Sequence, residues 1–569
     1  MNAGAGKGCE RMQRDSLNLP RRRRPAARWA LLSVPLFALL TACGGGGGGV
    51  DGAPDTATEQ RRDERGGGGG GTSGDGTLAP GGSASIGVQS VADTPVEALP
   101  EHEGHQPLEA GGPVAAAPGG PDFKSTETLR EWVVSPEGDD AAAGSADAPF
   151  RTISHAITQA SPGDMIRVLA GTYAEKVLIG EQVRAGEPGR PITLQGEGRP
   201  KIVPTDGSLG LIDIARPHWI VDGFELDLQG QRRFAVTFQG DVNGSVLANS
   251  DLHSGTLGGG VTTFAYADGA RIENNHIHNF DQGSTDSHGV VVQPTSRNVS
   301  IRFNDIHNTS GDSVQCLGPE GFSNDPPAQG VIIEANHFYS TRENAVDIKT
   351  CHDVEIRHNR MHGFQAVDSS KGDAVVVHYS ATNVLVEENE IYNAGTGISV
   401  GGNREGPMPS GVVIRRNRIR DIHADGGAFG HGIRVENASA PVVVHNTVTG
   451  TAGPGLVLGR GTGGPTQNAE VSNNIVDTAV GVRLGNQAPG LVTSANLFRP
   501  DATFEHADAA EPLNLDAFRA MGFGDSLGED PGLSGEKLSP GPAAVDRGAD
   551  RGEAYCGAAP DIGAVETDC

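Results

Sequence analysis

Glu343-Asn-Ala-Val-Asp-Ile-Lys-Thr-Cys351 alternates apolar and polar side chains. A period of two is a strand period, which puts Val346 and Ile348 on one face and Asp347 and Lys349 on the other. The same rhythm returns upstream at Gly289-Val-Val-Val-Gln293 and Ser313-Val-Gln-Cys-Leu317. Downstream it recurs at Ala374-Val-Val-Val-His378, Gly397-Ile-Ser-Val-Gly401, Gly432-Ile-Arg-Val-Glu436, Gly455-Leu-Val-Leu-Gly459 and Gly481-Val-Arg-Leu-Gly485.

Between these strands runs a second rhythm, an asparagine followed two residues later by an apolar side chain. Its copies are Asn275/Ile277, Asn304/Ile306, Asn336/Phe338, Asn359/Met361, Asn389/Ile391, Asn417/Ile419, Asn446/Val448, Asn474/Val476 and Asn496/Phe498. The asparagines are 29, 32, 23, 30, 28, 29, 28 and 22 residues apart. Repeats of roughly 20–50 residues signal a solenoid. Short β-rich segments separated by Asn/Gly turns, with no helical pattern, specify an all-β fold: a parallel β-helix with one coil per repeat. An asparagine suits the recurrent corner because it tolerates the left-handed conformation and its amide can stack on the next coil's asparagine.

Outside the repeats the chain has three further parts. Residues 1–42 read as a signal peptide: a basic cluster at Arg21–Arg24, then an apolar run from Ala30 to Leu40 that is too short to span a bilayer. It ends in Leu40-Thr-Ala-Cys43, which resembles a bacterial lipobox; the resemblance implies lipidation of Cys43 and a membrane anchor in the bacterial cell envelope, at the outer membrane or cell surface. Residues 43–122, with six-glycine runs at Gly44–Gly49 and Gly66–Gly71, have the composition of a flexible tether. Residues 123–500 are expected to form the β-helix and residues 501–569 to cap it.

The whole chain carries a net charge of −27. Removing residues 1–42 takes Lys+Arg from 44 to 36 and Asp+Glu from 71 to 69, which leaves −33. Such a surface disfavours nucleic acid and repels an acidic polymer unless cations or a local basic patch intervene. Cys316 should face inward as a small hydrophobe. Cys351 falls in register with Pro319, an offset of roughly 10 Å that argues against a bond to Cys316. Cys556 and Cys569 are the expected disulfide of an oxidising compartment. No CxxC or CxxH pair is present, so a structural zinc site is not expected.

Phe150, Ile153, Ala156, Ile157 and Ala160 share one face of a short helix, placed to cover the open apolar end of the solenoid. Trp132-Val-Val-Ser-Pro-Glu-Gly138, Ala148-Pro-Phe-Arg-Thr-Ile153, Pro162-Gly-Asp164 and Gly171-Thr-Tyr173 resemble the opening of secreted right-handed parallel β-helix proteins, among them family nine polysaccharide (pectate) lyases. Leu538-Ser-Pro-Gly-Pro-Ala-Ala-Val-Asp546 and Asp561-Ile-Gly-Ala-Val-Glu566 resemble their closing segment. The resemblance implies a right-handed coil, an acidic polysaccharide as partner, and a lysine base beside calcium held by aspartates.

Stacking the coils on the Asp347 strand puts Asp312, Asp347, Lys349, Lys371, Asp373, His378, His431, Arg434 and Glu436 on one outer wall. β-Elimination on a uronate glycan needs a neutralised carboxylate, a base and a proton for the leaving oxygen. The expected roles are Lys349, His378 and Arg434 in catalysis, Lys371, His431 and Glu436 on substrate, and Asp312, Asp347 and Asp373 as calcium ligands. The Asp-Asp-Gly-x-Asp cluster of family nine lyases is missing; only Gly311-Asp312-Ser stands in its place. A glycoside hydrolase would instead use two carboxylates from Asp347, Asp373 and Glu436. A non-catalytic glycan-binding or structural lipoprotein would use the wall as a platform. In either case the protein is expected to be a monomer.

A second outer face follows each corner asparagine. One column reads His276, Asp305, His337, Arg360, Glu390, Arg418, the charge alternation of a stabilising ladder. The next reads His278, His307, Tyr339, His362, Tyr392, Arg420, whose rings can stack on sugars or bind a transition metal.

Overall fold

The computed structural model describes residues 128–567 except 206–209, 257, 282, 319–325, 368–369, 379, 402–406, 460–464 and 486–487. The stretches read as signal peptide and tether, with Cys43, and also Cys569, lie outside the described residues.

The described chain is a parallel β-solenoid. Each coil lays one strand on each of three walls. Wall one carries Ser287–Val292, Val314–Cys316, Val346–Ile348, Asp373–Val377, Thr396–Val400 and His431–Val435. Wall two carries Arg297–Arg302, Gln329–Glu334, His352–Arg357 and Thr382–Glu387, and wall three carries His276–Phe280, Asp305–Thr309, His337–Tyr339, Arg360–His362 and Glu390–Ala394. Every ladder between successive coils is parallel, as in Val314↔Val346↔Val375 on wall one and Ile306↔Phe338↔Met361 on wall three. Inward positions are Val, Ile, Leu, Phe and Met, fully buried in one continuous core. β-Branched side chains suit this interior because they pack well on a pleated surface.

The corner between walls two and three holds the asparagine ladder. In each rung the backbone N–H and the Nδ2–H of one asparagine donate to Oδ1 of the next, as from Asn359 to Asn389 (3.0 and 3.0 Å). Nδ2 also donates to the wall-two carbonyl of the coil before, as from Asn389 to the Ile356 carbonyl oxygen at 2.8 Å. The left-handed residue is the one before each ladder asparagine: Phe303, Ala335, His358, Glu388, Arg416 and His445 have φ between 52° and 58°. This corrects the sequence reading. The asparagine is there for its amide, which satisfies buried backbone groups that the bend removes from the sheet. The left-handed strain falls on whatever residue precedes it. Asparagine itself takes the left-handed position before the ladder at Asn274 and Asn473, and at Asn279, Asn308 and Asn393 it closes wall three at the following corner.

Both ends are covered. Helix Ile153–Gln159, capped by Thr152 Oγ1 accepting from the His155 N–H, buries Ile153, Ala156 and Ile157. Parallel pairing continues past residue 500, with Thr503–His506 on Val480–Leu484 and Leu527–Gly528 on Leu497–Phe498. Phe518, on a one-turn helix, stacks on Phe504 at 4.2 Å and on Phe523 at 3.9 Å to close that end. The last stretch then runs back along the flank, where Gly563 N donates to the Asn473 carbonyl and Ile562 and Ala544 pack with Ile475 and Leu497.

Cys316 and Cys351 form a disulfide, with Cα atoms 6.2 Å apart. The register argument against this pair assumed a straight strand. The strand ends at Ile348, and the chain turns the corner towards His352–Arg357, which carries Cys351 inward over Cys316. The bond closes a sequence separation of 35 residues, which corresponds to about 3–4 kcal/mol of unfolded-chain entropy. A Cys316→Ala/Cys351→Ala variant should unfold at correspondingly lower urea by circular dichroism; an unchanged midpoint would show that neighbouring coils alone hold this corner. Cys556 is also disulfide-bonded, while its expected partner Cys569 lies outside the described residues.

Candidate functional site

Register places Gln315, Asp347, Val376, Ser399 and Arg434 in one outward column of wall one, as the strand alternation required. Asp347 is its centre. Oδ2 lies 3.1 Å from Lys349 Nζ and Oδ1 lies 2.8 Å from His378 Nε2. Asp347 and His378 are buried, and Lys349 keeps only 18% of its side chain exposed. Burial alone would push the Asp347 carboxyl up, but the Lys349 and His378 charges and hydrogen bonds outweigh it and hold the group well below the usual carboxylate range. His378 Nδ1 has no hydrogen-bond partner among the described residues.

Three coils further along, roughly 14 Å at the spacing of parallel strands, a second cluster forms around Phe429. The Arg434 guanidinium lies 4.3 Å from the Phe429 ring centre, Lys371 Nζ lies 5.6 Å away, and the His431 ring stacks on it at 5.4 Å. Glu436 accepts from Arg434 at 2.5 Å. Phe429 sits in a connecting loop outside the strand rhythm, so periodicity gave no sign of it.

The other two carboxylates are held separately. Asp312 is fully buried and its oxygens accept from Asn344 Nδ2 (2.9 Å), the Asn344 N–H (3.1 Å) and Gln315 Nε2 (3.0 Å). His288 stands against it with Nδ1 3.4 Å from Oδ2; burial would lower the imidazole's pKa, but the Asp312 hydrogen bond and charge raise it overall. Asp373 is driven up by burial, which Thr396, Arg434 and His378 only partly offset. Among the described residues, the groups of three metal-capable side chains with ligand atoms within 4.8 Å of each other are His276/His278/His307 and Glu225/Asp227/His253. Asp312, Asp347 and Asp373 do not make such a group. The calcium cage expected of them therefore does not fit: a hydrogen-bond network occupies the first and an ion-pair cluster the second.

On wall three the ring column forms a continuous stack. His253, His278, His307, Tyr339, His362 and Tyr392 follow one another at centroid distances of 5.3, 5.3, 4.5, 5.4 and 4.6 Å, all within 20° of parallel. The Arg420 guanidinium lies 4.1 Å from the Tyr392 ring centre and ends the stack.

A family model described as a right handed beta helix region matches residues 366–500. The fold is a right-handed parallel β-helix. This β-helix is 26% identical over 335 residues to the uncharacterized protein YwoF of Bacillus subtilis (strain 168), an alignment covering 51% of this chain and 68% of that one. Polysaccharide lyases are among the solved structures it resembles. A mannuronic acid specific polysaccharide family 6 lyase from human gut microbiota aligns over 71% of this β-helix and 92% of its own chain, with 15% identity and a TM-score of 0.50. Pectate lyase Pel9A aligns over 77% and 97%, with 17% identity and a TM-score of 0.33. At such identities the likeness is one of fold.

Proposed function

We propose that the protein is an envelope-anchored polysaccharide lyase that cleaves a uronate-containing glycan by β-elimination along wall one. The observation that carries this reading is the Asp347–Lys349–His378 cluster, set in one column with the cationic Phe429 platform. Phe429 holds Arg434 and Lys371 beside the column, and these supply positive charge for a substrate carboxylate. That local charge answers the repulsion expected from the acidic chain.

In the reaction, a base takes the proton on the carbon that bears the carboxylate. The C–H electron pair becomes a C=C bond as the C–O bond to the leaving sugar breaks, and the released oxygen accepts a proton. Asp347 orients His378 and would stabilise an imidazolium, leaving Nδ1, enclosed in the free protein, to receive the proton once substrate binding moves the side chains that cover it. Lys349, paired with Asp347, adds positive charge beside the developing enediolate. The alternative assignment, Lys349 as base, requires its ammonium to lose a proton first.

The test is ultraviolet absorbance of the unsaturated product on pectate, alginate and glycosaminoglycans, for the wild type, His378→Gln and Lys349→Met. Turnover lost in His378→Gln but only weakened in Lys349→Met assigns the base to His378, and the reverse assigns it to Lys349. No absorbance on any substrate ends the lyase reading. A second reading, glycoside hydrolysis, is favoured by the opposite shifts of Asp347 and Asp373, since a hydrolase needs one carboxylate ionised and one protonated. New reducing ends without unsaturation would select it. Anchoring through Cys43 is part of the proposal: Cys43→Ser should release the protein from the membrane fraction.

A further inference from the structure

Wall three carries a group of side chains that the lyase reading does not use. His276 and His278 point outward from the same strand, and the next coil brings His307 beside His278. His276 Nε2 and His307 Nε2 face each other at 2.9 Å. The His278 ring lies 4.0 Å from the His276 ring and 5.3 Å from the His307 ring. One ring nitrogen from each of the three falls within 4.8 Å of the others. The side chains are 12%, 16% and 13% exposed, so the group is held firmly yet reachable from solvent.

At this distance the two imidazoles share one proton in an N–H···N hydrogen bond, and a metal ion would bind by displacing that proton. The coil below settles which nitrogens are presented. Asp251 Oδ1 lies 3.3 Å from His276 Nδ1 and 2.9 Å from His278 Nε2. A carboxylate accepting from Nδ1–H fixes the His276 tautomer with its Nε2 lone pair directed at His307, which is how second-shell carboxylates prepare metal-ligating histidines. Two nitrogens bound at about 2.1 Å to a tetrahedral ion lie roughly 3.4 Å apart, so an opening of about half an ångström would admit one.

We propose that His276, His278 and His307 form a binding site for a divalent transition-metal ion of the zinc class, with Asp251 as the orienting carboxylate. Three nitrogen ligands leave a fourth position for water or a ligand. Imidazole donors favour zinc, copper, nickel or cobalt over calcium and magnesium. The site lies on a different wall from the Asp347 cluster and does not depend on the lyase reading.

The experiment uses untagged, metal-stripped full chain. Cobalt is titrated in while d–d absorption is followed, and zinc affinity is measured by calorimetry. One site per chain with a tetrahedral cobalt spectrum is expected. His307→Phe keeps a ring in the stack but removes a ligand, and should bind zinc roughly 100-fold more weakly or worse while melting like the metal-free wild type. His337→Phe, one coil away, should bind like the wild type. If His307→Phe fails to fold, X-ray absorption of the zinc-loaded wild type decides instead, with three imidazoles expected in the first shell. Equal zinc binding by the wild type and His307→Phe, no saturable site, or a first shell with fewer than two imidazoles would each overturn the proposal.

Discussion

Asn389→Ala should be among the most destabilising single substitutions in this chain. Asn389 sits mid-ladder and is fully buried. Its Oδ1 accepts both the backbone N–H and the Nδ2–H of Asn359, and its Nδ2 donates to the Ile356 carbonyl and to Asn417 Oδ1. Truncation leaves two N–H donors and one carbonyl unpaired in a core that water does not reach. A buried polar group without a partner costs roughly 1–3 kcal/mol, so three give roughly 3–6 kcal/mol after partial relaxation. Urea unfolding by circular dichroism measures this. The neighbouring Glu388→Gly is the control: it relieves a positive φ of 52° but adds unfolded-chain freedom, and should change stability by less than about 1 kcal/mol. A cost below about 1 kcal/mol for Asn389→Ala would mean that the strands, and not the ladder, hold the corner.

Asp347→Asn should have the second large effect, on stability and on turnover together. The amide keeps the shape of the side chain but removes the negative charge that faces the Lys349 ammonium and accepts from the His378 ring. Breaking a buried pair from one side costs roughly 3–5 kcal/mol, and the partial exposure of Lys349 reduces this to roughly 2–4 kcal/mol at pH 7. The pH dependence follows from the sign of the shift. The folded carboxyl sits below its unfolded value near 3.9, so its contribution is complete above that pH and disappears as the pH falls through the folded value. The gap in melting temperature between wild type and variant should therefore be full at pH 7 and narrow below about pH 4. Turnover on any glycan the wild type cleaves should fall by about 100-fold or more, the usual range for a disrupted acid–base group. A variant that melts like the wild type at pH 7 would show that Asp347 stabilises nothing.

The walls and their columns were legible in the sequence because two independent periods specify them. Strand alternation decides which side chains point out, and the asparagine spacing decides which coil each belongs to. Asp347 over Gln315 and under Val376 follows from those two numbers alone, and so does the ring column on wall three. What the sequence could not separate were two uses of the same residue. Asparagine suits both a left-handed corner and a buried amide ladder, and only the observed φ values assign the strain to Phe303, Ala335 or Glu388 instead. The Cys316–Cys351 bond was hidden because counting residues along a strand fails where the chain turns. Phe429 belongs to no repeat. The separation of Asp312 from Asp347 and Asp373 depends on Asn344, Gln315 and His288 closing around one carboxylate, which a column of letters does not express.

The ladder also gives the molecule a direction. Each asparagine offers its Oδ1 to the coil before and its backbone N–H and one amide N–H to the coil after, while the other amide N–H returns to a carbonyl of the coil before, so every internal coil presents the same pair of surfaces to its neighbours. A coil is therefore an interchangeable part: excising residues 389–416 would join Glu388 to Asn417 and set Asn417 Oδ1 above Asn359 in the place Asn389 had held. A chain built this way can grow or shrink by whole turns through duplication and loss, with its length drifting while the cross-section stays fixed.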